Sequence, residues 1–306
     1  MSSNAAFSAF AFLGFVVSAV PIYWHIEVAN AGTCLFLFWT ALGCFVGFIN
    51  SLVWNNNTRN SAPVWCDISG RLLLAVSVAL PAATLCITRR LYAITSLSVI
   101  APRRQLTTDL LLGFGIPGLQ TILVYVVQTN RFDIYEEFGC FIPISNNILA
   151  YVLIYSLPLI LGTVSGYFGI TSLYRFIRGR REVDRLVETV NSLNRSWYIR
   201  LVTLACADVV ATVPLASYQT YTWARSATYR TWIPWNEVHN NFSHVGQFPS
   251  EFWKSHPAYS TPLELMRWMD VVAALSFFLV FGTSSEAVRH YRMVLRYLAS
   301  KMRTLR

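Results

Sequence analysis

Residues 64–90 read VWCDISGRLLLAVSVALPAATLCITRR, and this stretch decides the fold. From Val64 to Leu85 it carries two charges, Asp67 and Arg71, both near its start, and beyond Leu85 it closes on the pair Arg89 and Arg90. A helix of that length crosses a ~30 Å hydrocarbon layer, which takes ~20 mostly apolar residues. Six further stretches share the pattern: Phe7–Trp24, Ala31–Trp54, Leu110–Gln128, Ile148–Phe168, Ile199–Trp223 and Leu265–Phe281. The sequence therefore predicts an all-α, integral membrane bundle of seven transmembrane helices over residues 1–281.

The basic residues orient that bundle. Seventeen of the 24 Lys and Arg residues fall on one alternating set of connections and the tail. They are Arg89, Arg90, Arg103 and Arg104; Arg175, Arg178, Arg180, Arg181, Arg185, Arg195 and Arg200; and Arg289, Arg292, Arg296, Lys301, Arg303 and Arg306. The opposite set holds five: Arg59, Arg131, Arg225, Arg230 and Lys254. An excess of Lys and Arg marks the cytoplasmic side, so the amino terminus is expected to be extracellular and the tail cytoplasmic.

Composition agrees. The chain is 55% hydrophobic and 13% charged, against about 25% charged in a soluble globular domain. In a soluble protein the net charge of +9 would suggest nucleic acid. Here its confinement to cytoplasmic loops assigns it to topology, anionic lipid or an acidic partner instead. No cleavable signal peptide is expected, because the first apolar stretch is too long and Met1–Ala6 carries no basic residue.

Four cysteines, Cys34, Cys44, Cys86 and Cys206, fall within spans and read as packing residues. Cys66 and Cys140 are the two expected on the oxidising side, where a disulfide between them is the natural reading. Two glycosylation sequons, at Asn56 and Asn241, are expected on that side as well. A third, at Asn194, falls in a cytoplasmic loop, where glycosylation does not occur.

Three connections carry further pattern. His25–Asn30 is short enough to require a tight turn. In Phe176–Tyr198, apolar Val183, Leu186, Val187, Val190 and Leu193 recur at helical spacing, which predicts an amphipathic extension of a span. Ala224–Pro262 is long and holds eight aromatics, among them Trp232, Trp235, Phe248 and Trp253. It is expected to pack as a lid or lie against headgroups. Residues 282–306 read as an amphipathic cytoplasmic helix: Thr283 and Glu286 fit a capping box, and an apolar face opposes Arg289, Arg292, Arg296 and Arg303.

These motifs resemble the fungal a-factor-type mating pheromone receptors, class D G-protein-coupled receptors, most closely those of mushroom-forming fungi. The resemblance rests on Pro21-Ile22-Tyr23-Trp24-His25, Asn50-Ser51-Leu52-Val53-Trp54, Trp65-Cys66-Asp67-Ile68, Gly139-Cys140 and Leu157-Pro158-Leu159-Ile160-Leu161-Gly162. It implies a plasma-membrane receptor, not an enzyme, without cofactor. Its ligand would be a lipopeptide with a farnesylated, methyl-esterified C-terminal cysteine. Its partner would be a heterotrimeric G protein feeding a kinase cascade, with a homodimer possible. Receptors of this family usually carry a longer cytoplasmic tail than a chain stopping at Arg306 provides.

Other seven-helix classes fit less well. A retinal protein needs a Schiff-base lysine in its last span, and the two lysines, Lys254 and Lys301, both lie outside spans. None of the five histidines is intramembrane, which disfavours a metal-dependent hydrolase. The rhodopsin-like class is disfavoured by Thr88-Arg89-Arg90. A transporter or channel would show matched internal repeats, and it stands as the alternative.

Candidate sites follow from expensive residues inside spans. The ligand is expected among Trp54, Trp65, Asp67, Arg71, Tyr151, Tyr155, Tyr218, Tyr221, Trp268 and Asp270. Asp67 and Arg71 stand four apart on one helical face and are expected to pair. Asp270 and Arg267 are expected near water at the end of the seventh span. G-protein coupling is assigned to Arg89, Arg90, Arg175, Arg178, Arg180, Arg181 and Arg185. Asp208, ~13 Å deep in the sixth span, is expected to hold Arg89 as a latch that opens when the helix swings about Pro214. Pro81, Pro117, Pro158 and Pro214 mark potential kinks.

Overall fold

The computed structural model describes residues 3–27, 30–96, 101–178, 195–225 and 229–282, together with 288, 289 and 292. The tail helix expected over residues 282–306 and the amphipathic segment of the third cytoplasmic loop, with Arg180, Arg181 and Arg185, lie outside these residues apart from isolated positions.

Seven helices are long and apolar enough to cross a membrane: Asn4–Tyr23, Ala31–Val53, Pro63–Thr95, Arg103–Val126, Ile148–Arg178, Tyr198–Ala224 and Ser260–Gly282. They are numbered here as the first to seventh spans. The third helix has 33 residues and so runs ~50 Å at 1.5 Å per residue, well beyond the apolar layer at both ends. It is the central helix, packed against the second, fourth, fifth and sixth spans. Arg89 and Arg90 sit in the last two turns of this continuous helix, which ends at Thr95, and Arg175 and Arg178 end the helix of the fifth span.

Three spans contain a π-helical turn: Leu111–Gly115, Tyr151–Tyr155 and Phe278–Gly282. The first two lie just before Pro117 and Pro158, as expected where proline withholds an N–H from the helical ladder. In the fourth span Pro117 leaves the Gly113 carbonyl without its α-helical donor, and the Trp39 indole of the second span donates to it at 2.8 Å. A proline-opened acceptor thus becomes a bond between spans.

At the end of the bundle carrying the amino terminus, here the cap end, the loops of the all-α bundle add a small feature of their own. A three-stranded sheet forms there in the order β2-β1-β3, from β1 (Phe132–Tyr135), β2 (Gly139–Phe141) and β3 (Val245–Phe248). β1 and β2 are an antiparallel hairpin pairing Ile134 with Cys140, and β3 lies parallel to β1. Strands of three or four residues separated by over a hundred positions leave no period in the sequence. Of the two expectations for the long loop, a lid or a segment against headgroups, its described residues show packing at β3 and Trp253, with two short helices, Trp235–Val238 and Ser250–Ser255, flanking β3, while Trp232, Trp235 and Phe252 stay exposed.

Hairpin and bundle are joined covalently. Cys66, at the start of the third helix, is bridged to Cys140 of β2 with Cα atoms 5.1 Å apart. Around the bridge Trp54, Phe132, Ile134, Val124 and Val127 are fully buried. A second apolar core, with Phe36, Leu37, Ile87, Leu91, Tyr198 and Phe277, fills the opposite half of the bundle.

Candidate functional site

Several motif residues converge on the cap. Trp54 is fully buried and its indole donates to the Arg59 carbonyl at 3.0 Å. The Trp54 carbonyl in turn accepts from Glu137 N–H at 2.9 Å. Trp65 donates through its indole to Asn50 Oδ1 at 2.8 Å. Gly139 has a φ of 91°, and an added Cβ would stand 2.6 Å from Asn50. Only glycine meets both conditions without strain. Trp54 and Trp65, expected to touch ligand, stand where they help to seat the hairpin.

The Asp67–Arg71 pairing is corrected by the same frame. Asp67 is gripped at both carboxylate oxygens by Arg131 of the loop before β1, at 3.0 and 2.6 Å. Arg71 donates to the Asp67 backbone carbonyl at 3.2 Å. A bidentate fork satisfies a carboxylate better than a single contact along a helix. Sequence spacing sees the neighbour four residues away and cannot see a loop 64 residues on.

The other ligand candidates do not form one pocket. Tyr151 donates to Asn146 Oδ1 at 2.7 Å and packs against Tyr155 and the lid residue Tyr229. Tyr218 and Tyr221 of the sixth span are exposed. Trp268 packs on Phe7 and Phe10 and donates to Glu264 at 3.1 Å.

Asp270 is different. It is 9% exposed and its carboxylate lies against Gly43 of the second span, where a Cβ would meet Oδ2 at 2.3 Å. One turn away Arg267 is 6% exposed. The expectation that water bathes this pair is wrong, because the first and second spans and Phe138, in the turn between β1 and β2, pack around it. Both line a small cavity of about 20 Å³. Sequence reasoning passed over Arg267; a lone arginine inside an apolar span was the signal.

At the opposite end, here the basic end, Arg89 reaches Asp109 of the fourth span at 2.6 Å, with Asp109 almost fully buried. This corrects the expected Arg89–Asp208 latch, since the arginine is already engaged by a carboxylate. Asp208 instead faces Thr84 of the third span and Thr212 of its own helix. Arg90 donates to Asn30 at 3.1 Å. Arg175 lies 4.6 Å over the Tyr92 ring and donates to its hydroxyl at 3.3 Å. Arg178 pairs with Tyr174. Asn56 and Asn241 are exposed in left-handed turns at the cap end, with φ of 55° and 59°.

Seven spans, a disulfide-tied cap and a ring of arginines at the far end define a multi-pass membrane protein of receptor architecture. Over residues 6–302 the chain matches the family described as STE3: Pheromone A receptor, and it belongs to that family. It is 38% identical over 290 residues to the "Pheromone B alpha 3 receptor" of Schizophyllum commune, covering 93% of this chain and 46% of that protein. It is 31% identical over 290 residues to "Pheromone receptor 1" of Ustilago hordei, covering 92% of this chain and 80% of the relative. To the "Pheromone a factor receptor" of Saccharomyces cerevisiae it is 21% identical, over 97% of this chain and 63% of that protein. The chain spans about half the length of the Schizophyllum alpha receptors it matches. The family model and these relatives are all named as pheromone receptors.

Proposed function

We propose that this chain is the seven-span core of a plasma-membrane receptor for a secreted peptide bearing a farnesylated C-terminal cysteine, and that it activates a heterotrimeric G protein. The cap end faces outward in this reading, with Asn56 and Asn241 as glycan acceptors, and the basic end faces the cytoplasm. Support comes first from the family match over nearly the whole chain. The observation that carries coupling is the arginine cluster at the basic end. Arg89, Arg90, Arg175 and Arg178 stand on the ends of the third and fifth helices. Such a rim attracts the acidic residues of a G-protein α subunit and anionic headgroups alike. Arg180, Arg181 and Arg185 extend the proposal along the adjoining loop, and Asp208, against Thr84, links the sixth span to the third.

The test is to expose cells expressing the chain to synthetic peptides with and without the farnesyl group and to read G-protein activation. Activation by the farnesylated peptides alone is the expected result. Equal responses to both forms remove the lipid from the proposal, and silence to every peptide removes the ligand class.

A further inference from the structure

Arg267 is the least satisfied group in the described structure. Its side chain is 3% exposed, and none of its three guanidinium nitrogens has a hydrogen-bond partner among the described residues. Its nearest carboxylate oxygen belongs to Glu264, 3.4 Å from Nε, and its guanidinium carbon stands 4.1 Å above the Phe7 ring. A guanidinium carries five donors, and leaving buried donors unpaired is costly. One turn along the same helix, Asp270 lines the same cavity with a carboxylate that has no ion pair among the described residues. One space thus offers donors and an acceptor side by side.

The charges choose the occupant. Two carboxylates act on Arg267, Glu264 and Glu137, and Asp270 lies one helical turn on, so an added anion would meet net negative charge. An added cation would meet the guanidinium. A neutral group with both an acceptor and a donor satisfies both Arg267 and Asp270. The remaining walls, Phe7, Leu73, Phe138 and Val271 among them, are apolar and suit whatever flanks that group.

We propose that this cavity reads the peptide backbone of the ligand, one amide giving its carbonyl oxygen to Arg267 and its N–H to Asp270. This rests on the receptor reading above. The cavity of about 20 Å³ holds about one water, so the amide enters as Phe138 withdraws. Phe138 follows the β1 strand in the hairpin turn, and the turn is held by Lys254 of the lid at 2.5 Å from Glu137. Filling the cavity therefore moves the cap. Gly43 is a positioning residue: its missing side chain is what lets the Asp270 carboxylate stand at the wall.

The experiment uses the farnesylated peptide that activates the wild-type chain, together with analogues in which each backbone amide in turn becomes an ester. An ester removes the N–H and weakens the carbonyl as acceptor. Wild type is expected to lose about tenfold in potency at one position, the scale of a hydrogen bond to a charged group. On Asp270→Asn the same ester should cost less than about threefold, because the charged acceptor is already gone. Arg267→Gln should need about tenfold more of the unmodified peptide at equal surface expression. If Arg267→Gln fails to reach the surface, the double variant Arg267→Gln with Asp270→Asn, which removes both buried charges of the cavity together, is read instead. Variants that respond as wild type does, or an ester cost identical on wild type and Asp270→Asn, overturn the inference and leave the receptor reading intact. A wild-type chain silent to every peptide overturns both.

Discussion

The two ends of the third helix are built on different principles. At the cap end a disulfide, a bidentate ion pair and a three-stranded sheet hold the loops over the bundle. At the basic end the ties among the described residues are side-chain contacts, such as Arg89 to Asp109, Thr88 to Ser165 at 3.1 Å, Arg90 to Asn30, and Arg175 to Tyr92. Neutral hydrogen bonds contribute about 0.5–1.5 kcal/mol each and those to charged groups about 1.5–3 kcal/mol, and each can exchange for a bond to water or a partner. A covalent bridge does not exchange. The cap also lies where water meets protein, so its buried Trp253, Phe132 and Ile134 draw on the hydrophobic effect. The spans, solvated by lipid, rely on packing and hydrogen bonds. A molecule fixed at one end and exchangeable at the other suits transmission from the first to the second.

The largest effect is expected at the basic end, and it should be asymmetric. Arg89 is partly exposed whereas Asp109 is buried. Removing Arg89 strands a buried carboxylate, with only Arg90 nearby to help. Removing the Asp109 charge leaves an arginine that can extend to water. Arg89→Ala should therefore cost about 3–5 kcal/mol, the scale of breaking a buried pair, and Asp109→Asn clearly less. Thermal unfolding of the purified receptor in detergent measures both; equal losses would show that the pair behaves as an exposed one.

Next comes the bridge. Cys140→Ser should destabilise the cap by about 2–4 kcal/mol and loosen lid and hairpin together, because β3 is anchored on β1 rather than directly on the bundle. Hydrogen exchange across Phe132–Phe141 and Val245–Phe248 should rise in the variant while the basic half keeps its protection. Unchanged exchange in β3 would mean that the lid holds without the bridge.

The Lys254–Glu137 contact is a smaller lever. With Lys254 over a third exposed, Lys254→Met should cost no more than about 1 kcal/mol. Its effect should fade further in high salt. Its value lies in coupling: if the hairpin turn gates the Arg267 cavity, Lys254→Met should lower the peptide concentration needed for activation. A higher requirement would instead make this contact part of the bound state.

The spans were legible because membrane helices must be long, apolar and internally hydrogen-bonded, a requirement that acts residue by residue. The disulfide was legible because topology left two cysteines on one side. What the sequence hid was every pairing that depends on distant loops. Asp67 meets Arg131, Asp133 meets Gly246, and Asp109 rather than Asp208 holds Arg89. Spacing within a helix predicts i and i+4 neighbours, so Arg71 looked like the partner of Asp67. Arg267 and Asp270 looked solvated because their depth was judged along one helix. The neighbours that bury them come from the first span, the second span and the cap.

The smallest expected effect tests whether the cap carries a pH dependence of its own. Burial pushes the Asp133 carboxyl up from its ordinary value, opposed by hydrogen bonds from Asn130 at 3.2 Å and the Gly246 N–H at 3.1 Å and by nearby His244. A carboxyl with a raised folded-state pKa holds its proton more tightly folded than unfolded. Its contribution to stability is therefore full below the unfolded value of about 3.9 and declines as pH rises through the folded value. Both hydrogen bonds end on Oδ1, so Asp133→Asn keeps the acceptor for each and removes the charge. The variant should match wild type near pH 4 and exceed it modestly at neutral pH, a difference read from unfolding curves at the two values. A variant less stable than wild type at neutral pH would show that the charged carboxylate stabilises the joint between β1 and β3, and that the two ends of the molecule differ less in their electrostatics than in their covalent ties.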